Sequence, residues 1–248
     1  MEKKTLQFSD VMLILCLMSF MSGMLNAQQK EVRSPNGKVF VTFAGGEKRH
    51  MAVMFDNRPV LVINDPAMII DGRKTGSGAF TAKTRAVNLV QHPLIREKRA
   101  LVSDHFNELT LSFNDRTGLV IRAYDDGFAY RFTTRFTKDT VVVNHESAVL
   151  DFSPEDSLFL PIIACRNEKD VDCFHTSFEE DYKHVPVRGL NPENLAYLPL
   201  YARTTHGISL AMTESDLRDY PGMFVAGSEK EESALQLKFT AYPLATSF

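Results

Sequence analysis

The sequence predicts an all-β fold, a sandwich or barrel of mostly antiparallel strands. Three observations carry this. Apolar and polar residues alternate with a period of two along many short runs, turn signals punctuate the runs about every 8–12 residues, and helical periodicity is scarce. The clearest run is Leu119–Phe132, LVIRAYDDGFAYRF. In it Leu119, Ile121 and Ala123 alternate with Val120, Arg122 and Tyr124, and Phe128, Tyr130 and Phe132 alternate with Ala129 and Arg131. Asp126-Gly127 between the two halves predicts a hairpin turn with a residue at positive φ. Such a hairpin buries one face, so the flanking chain must supply a second sheet.

The other elements follow in order. Ser34-Pro35-Asn36-Gly37-Lys38 is a turn that launches a strand over Val39–Ala44. Met51–Phe55 and Pro59–Ile63 form a pair joined by Asp56-Asn57-Arg58. Asn64-Asp65-Pro66 reads as another turn, Met68–Ile70 as a strand ending at Asp71-Gly72, and residues 73–79 as loop. Strand-like runs continue at Thr84–Leu89, Leu94–Lys98, Asn107–Phe113, the hairpin, Thr140–Val143, Ala148–Phe152 and Leu158–Ile163. Residues 165–195 are irregular and charged; strands resume at Leu198–Thr204, Ile208–Met212, Met223–Ala226 and Leu235–Tyr242. The one helical candidate is a short turn over Glu214–Tyr220 with Thr213 as its N-cap.

A chain of 248 residues with 44% hydrophobic content is long enough for a well-buried core, and one domain over 28–248 is expected. A net charge of −3 gives no reason to expect a nucleic-acid partner. Eighteen Phe and no Trp suit a sandwich core, and the lack of Trp weighs against a stand-alone sugar-binding module, where indole is a favoured platform. Residues 1–27 read as a signal peptide: Lys3 and Lys4, then apolar Val11–Leu25, then a cleavage point after Ala27. A membrane anchor is the alternative, but the stretch is short and broken by Ser19, Ser22 and Gly23. Leu15 is bulky for a lipoprotein site at Cys16. The expectation is an exported protein, periplasmic or secreted, free of the membrane after cleavage. Cys165 and Cys173 then either form a disulfide or remain free thiols.

Familiar catalytic signatures are missing. The sequence holds no G-x-S-x-G, H-E-x-x-H, C-x-x-C or Walker loop, and its seven histidines are scattered. Asp170-x-Asp172 after Glu168 lacks the glycine and distal glutamate of a calcium loop and reads as solvated. Phe178-Glu179-Glu180-Asp181-Tyr182 sets three carboxylates side by side, which repel unless solvated or bridged by a hard cation. In an extended segment Glu179 and Asp181 face one way, and Phe178, Glu180 and Tyr182 the other. Thr213–Met223 is dense in turn and cap residues and reads as a structural joint between strands.

Together SPNGK (34–38), NEL (107–109), RAYDDGFAYRF (122–132), FEEDY (178–182) and TESDLRDYPGM (213–223) resemble the N-terminal domain of glycoside hydrolase family 97, which includes α-glucosidases and α-galactosidases. The resemblance implies a β-super-sandwich, galactose mutarotase-like, that packs on a catalytic (β/α)8 barrel. It also implies that the domain donates one ligand to a calcium ion beside an α-linked oligosaccharide. By position in the segment that ligand is Glu179, with Glu180 as the alternative, because Phe178 stands where tyrosine is usual and a second acid follows. The barrel carries the catalytic carboxylates and needs about 250 further residues. The expectation is therefore a chain without its catalytic barrel, as in a truncated product or one half of a split gene, inactive alone and with no catalytic residues of its own. Two other classes stay open: a free-standing carbohydrate-binding protein with a groove lined by Tyr124 and Tyr130, and a mutarotase-like isomerase with a converging His and Glu.

Overall fold

The computed structural model describes residues 28–93, 95, 98–164, 173–218, 220–230 and 233–241. The expected signal peptide, 1–27, and the acidic loop 168–172 lie outside these residues. The strands are β1 (Gln29–Arg33), β2 (Val39–Ala44), β3 (His50–Phe55), β4 (Arg58–Ile70), β5 (Arg73–Lys74), β6 (Phe80–Gln91), β7 (Val102–Phe113), β8 (Thr117–Tyr124), β9 (Gly127–Thr134), β10 (Val143–Asp151), β11 (Ser157–Pro161), β12 (Tyr182–Pro186), β13 (Ala196–Tyr197), β14 (Leu200–Arg203), β15 (Ser209–Met212), β16 (Met223–Gly227) and β17 (Ala234–Phe239). The paired strands run antiparallel and form three sheets. The largest is ordered β1-β2-β3-β4-β10-β17-β16-β13, with β5 appended to β4; the others are β6-β7-β8-β9 and β12-β11-β14-β15. This is the expected all-β sandwich, and it is not closed into a barrel.

Alternation decides what is buried. β2 turns Val39, Val41 and Phe43 inward, β7 turns Leu109, Leu111 and Phe113, β8 turns Leu119, Ile121 and Ala123, and β11 turns Leu158 and Leu160. All of these belong to one apolar cluster that runs through the three sheets. β7, β8 and β9 lie across β1 and β2, which closes the sandwich. At one corner Phe43, Phe80 and Phe113 meet edge-on, with ring centroids 5.5–6.3 Å apart. Each buried side chain of this size contributes about 1.5–3 kcal/mol relative to exposure.

The hairpin forms as β8 and β9, paired from Tyr124↔Gly127 to Thr117↔Thr134. Its turn is Asp125-Asp126, one residue earlier than expected, and Gly127 opens β9. Neither aspartate nor Gly127 has positive φ. A type I turn needs none. The tip is held from outside instead: the Asn36 N–H donates to Asp125 Oδ1 at 2.8 Å, which docks the 34–38 turn on it. Positive φ appears at Asp56-Asn57 (51° and 60°) and Asp71-Gly72 (50° and 72°), the two-residue turns that end β3 and β4.

Four expectations need correction. Asn64-Asp65-Pro66 does not end a strand; β4 runs through it as a bulge, where Asp65 and Pro66 together oppose one residue of β10. A bulge tolerates a proline because its N–H is not required by the ladder. Thr140–Val143 and Ala148–Phe152 are not separate strands, because Val143–Asp151 pairs continuously enough with β4 to form one. In Leu94–Lys98 the described residues, Ile95 and Lys98, are bends in the connection from β6 to β7, and the rest lies outside the described residues. Thr213 caps no helix; the described part of Glu214–Tyr220 is irregular, and Asp216 at φ 59° is incompatible with a helical turn.

The NEL triplet shows how one strand serves two faces. Asn107 Nδ2 donates to Arg33 O at 2.8 Å and ties β7 to β1, while Leu109 enters the core. Glu108 points to the outer face, nearly buried, between Arg85 Nε (2.7 Å) and Arg122 Nε (2.8 Å). The bond from Arg85 leads in holding its carboxyl below the ordinary 4.5, with Arg122 adding to it against the cost of burial. The Arg122 guanidinium also covers the Phe106 ring at 4.3 Å. A depressed native pKa stabilises the fold above the unfolded value, and that gain is lost as pH falls through the native value. Glu108→Gln is thus expected to lose about 1–3 kcal/mol of stability at pH 7. In urea unfolding the deficit should close as pH drops below the wild-type titration; a deficit independent of pH would contradict the charge argument.

Candidate functional site

Segment 173–182 lies over the edge of the large sheet and is anchored at several points. Cys173 is disulfide-bonded, and Cys165 lies outside the described residues. Phe174 packs edge-on against Phe224 of β16, centroids 5.0 Å apart. Phe178, at φ 57°, turns its ring onto Tyr197 of β13 at 4.9 Å. The Glu180 N–H donates to Tyr197 Oη at 3.2 Å, and Tyr182 Oη donates to Pro199 O at 2.8 Å. Ile163, Tyr197 and Phe224 form a small apolar cluster under the segment, apart from the main core.

These anchors separate the two candidate carboxylates. Glu180 turns inward. Its Oε1 accepts from the Thr176 hydroxyl, and its Oε2 is buried without a hydrogen-bond partner among the described residues. The Thr176 bond is the main cause of its lowered pKa, outweighing desolvation. Desolvation, and next the nearby Glu180 carboxylate, raise the Tyr197 phenol. Glu179 is exposed, and its side chain makes no hydrogen bond or ion pair among the described residues. Glu179 and Asp181 are exposed, and Glu180 is partly covered. Phe178 and Tyr182 differ from Glu180: although they pack on Tyr197 and Pro199, they remain 57% and 50% exposed. Glu179 is thus flanked by open aromatic surface. Among the described residues no three His, Cys, Asp or Glu side chains converge as a metal site.

Segment 213–223 meets the same rim, since Met223 precedes Phe224. Both Glu214 carboxylate oxygens accept the Met223 N–H, at 2.9 and 3.0 Å, so Glu214 caps the start of β16 in place of the expected helix. Tyr220 Oη donates to Glu146 Oε2 at 2.6 Å. Glu146 is on the inner face of β10, with Ala148 and Leu150, and interacts with Tyr130 of β9 and with Glu214. Desolvation raises the Glu146 pKa, Glu214 raises it further, and the Tyr220 bond opposes both. Desolvation also raises Glu214, and it pushes the Tyr130 and Tyr220 phenols well above their ordinary values. This two-carboxylate, two-tyrosine cluster escaped the sequence reading, because its members are up to 90 residues apart and no local pattern joins them.

The groove expected between Tyr124 and Tyr130 does not form. Tyr130 pairs with Ile121 and faces the core, whereas Tyr124 is on the opposite face with Arg122, against Phe106 at 5.1 Å. A larger cleft, about 680 Å³, opens near β5 and has no histidine in its lining, so it offers no mutarotase-like His–Glu pair.

Residues 32–245 match the family described as Glycosyl-hydrolase 97 N-terminal. A retaining alpha-galactosidase of Bacteroides thetaiotaomicron is 30% identical over 223 residues, 88% of this chain and 33% of that protein. The chain therefore spans about a third of that relative's length. A Glycoside Hydrolase Family 97 enzyme from Pseudoalteromonas sp. strain K8, solved with acarbose, superposes with a TM-score of 0.67 at 16% identity, covering 85% of this chain and 32% of that one. A beta-arabinopyranosidase superposes with a TM-score of 0.73 at 20% identity, covering 87% of this chain and 36% of that one. At these identities the two structures speak for the fold.

The acid cluster makes a pH prediction. With Glu146 and Glu214 raised above 4.5, the native state binds more protons than the unfolded chain, so stability falls as pH climbs through the raised values. Glu146→Gln keeps an acceptor for Tyr220 and removes the charge. It is expected to melt above wild type at pH 8, by about 2–4 °C per kcal/mol recovered. The difference should close toward pH 4. Circular-dichroism melts read this directly, and a lower melting point at pH 8 would show that the carboxylate stabilises as an anion.

Proposed function

This chain belongs to glycoside hydrolase family 97 as an N-terminal domain of that family, and on that premise we propose that it is the non-catalytic partner of a (β/α)8 barrel in an exported, calcium-dependent α-glycosidase. Its part is to pack on the barrel and lend one carboxylate, Glu179, to a calcium ion beside the α-linked oligosaccharide. The observation that carries this is the contrast between neighbours. Glu180 is bound inward to Thr176 and Tyr197, while Glu179 is exposed, unpaired and set among the open rings of Phe178 and Tyr182. Exposed aromatic surface of this kind suits a docking face.

The placement of the rim supports the reading. β17 ends at Phe239, paired with Met223, and Phe224 pairs with Tyr197 under Phe178. A barrel following β17 in sequence would emerge two strands from Glu179. Calcium takes six to eight oxygens and Glu179 supplies at most two, so the remaining ligands would come from the barrel or from water. Calcium bound there would orient the sugar and help stabilise charge developing in the transition state. In this chain Phe178 and the Tyr182–Pro199 bond fix the backbone on either side of Glu179, which limits where its carboxylate can reach.

A second reading, a free-standing carbohydrate-binding protein, has one observation in its favour. On the outer face of β12-β11-β14, His184 stacks on Phe159 at 4.3 Å and Tyr201 lies 5.5 Å from the same ring. Retention on an immobilised neutral α-glucan, lost in Tyr201→Ala, is the outcome that favours it.

Two measurements test the main proposal on the purified chain. With calcium present, nitrophenyl α-glucoside and α-galactoside are expected to show no hydrolysis above buffer, since two flanking carboxylates are required. Calorimetry is expected to show no tight calcium binding, weaker than about millimolar, as a single carboxylate allows. Turnover, or tight stoichiometric calcium binding, would overturn the proposal.

A further inference from the structure

We propose that the chain carries a separate ligand site, a cleft that takes an anionic saccharide whose charge is a carboxylate or a sulfate. The cleft, about 680 Å³, lies between the β4–β5 turn, the turn from β7 into β8, and the segment after β9. That volume lies within the range of small-ligand sites. It shares no residue with the rim around Glu179.

Its charge is one-sided. Arg73, Lys74, Arg116 and Lys138 line it against Asp71 and Asp115. Both carboxylates are committed within the fold. Asp115 accepts the Gly76 N–H at 2.7 Å and the Thr117 N–H at 3.0 Å. Asp71 accepts Lys138 Nζ at 2.8 Å and the Val142 N–H at 3.1 Å. Lys74 is answered by Asp65 at 2.5 Å. Arg73 lies near enough to Asp71 to help hold that carboxyl below its ordinary value, whereas Arg116 has no carboxylate partner among the described residues and makes a 3.5 Å contact to Thr137 Oγ1. Behind Thr75 lies a third guanidinium, Arg49, 7% exposed, with Nη1 donating to Thr75 O at 2.6 Å and Nε 3.4 Å from Asp65, which answers its charge. In a chain of net charge −3 the lining still carries four cations against two carboxylates, Asp71 and Asp115.

The residue types specify the ligand. A guanidinium presents a planar fork of donors that matches a carboxylate or sulfate edge. Arg116 is at φ 65°, a conformation that glycine or asparagine adopts with less strain, so the sequence accepts a backbone cost to keep arginine there. Phe136, partly covered, adds an aromatic face to the lining, and Ser77 and Thr137 add hydroxyls. An aromatic face, hydroxyls, the Arg116 guanidinium and the Arg73 guanidinium beside Asp71 suit a sugar ring bearing an acid better than a bare ion.

Calorimetry on the purified chain tests this with four probes: a glucuronate-containing disaccharide, a sulfated disaccharide, the matching neutral disaccharide and inorganic sulfate. At least one charged sugar is expected to bind about tenfold or more tightly than the neutral sugar and inorganic sulfate, and the pair identifies which acid is preferred. Affinity should fall with added salt. Arg73→Gln, Arg116→Asn and the double variant are each expected to weaken it about tenfold or more, with melting temperature not lowered. Equal binding of neutral and charged sugars, inorganic sulfate binding as tightly as either sugar, no binding of either charged sugar, or full binding by the double variant overturns the proposal. None of these outcomes bears on Glu179, so this site and the barrel-docking reading stand or fall separately.

Discussion

The burial of β7, β8 and β9 across β1 and β2 is the constraint on which the rest depends. Leu109, Leu111, Leu119 and Ile121 have no other place to hide from water, and neither do Val41 and Phe43 opposite them. Once these faces meet, the register of each strand is fixed, because a slip of one residue would turn the apolar set outward. The tips then fall where the register puts them: Asp125 under the 34–38 turn, and Asp115-Arg116 beside the end of β4. The rim is positioned the same way, by Leu235 and Leu237 of β17 and Val225 of β16 in the shared core. The polar features at the sheet ends are consequences of apolar packing in the middle.

Where local physics decides, the sequence was readable. β2 has the bounds its alternation predicts, and the hairpin, β14 and β16 lie where their apolar runs are. The Tyr124–Tyr130 groove was refutable from the same alternation, since the hairpin ladder puts the two rings on opposite faces. The errors came from turn chemistry that tertiary structure overrides. Asp126-Gly127 carries a strong turn preference, but an Asn36–Asp125 bond from 89 residues away holds a turn one residue earlier. Thr213 and the acids after it look like a helix start, but Glu214 spends its carboxylate on Met223, nine residues on. Pro66 reads as a terminator until β10 is seen to make room for a bulge.

The domain treats its carboxylates by the cost of burial. Glu108 is answered by two arginines, Glu180 by a hydroxyl, Glu214 by a backbone N–H, and Glu146 by a phenol. The first two are held ionised because the hydrogen bonds they accept outweigh desolvation, and the last two are pushed toward the neutral acid because desolvation outweighs the bonds they accept. One glutamate faces charged partners on an outer sheet face, and the others meet neutral donors at the rim. None of these four is available to a ligand without undoing a bond that the fold uses.

Glu179 differs in that its side chain holds no bond among the described residues. An exposed side chain without a bond contributes little to stability, so its replacement by glutamine should leave folding untouched. That independence is what lets the calcium proposal be separated from structure. Replacing Glu180 removes the partner of Thr176 and disturbs the loop, so a loss of function there would be ambiguous. A loss on replacing Glu179 in a barrel-bearing family 97 enzyme would have no folding explanation, and it would have to act through whatever the carboxylate reaches across the interface.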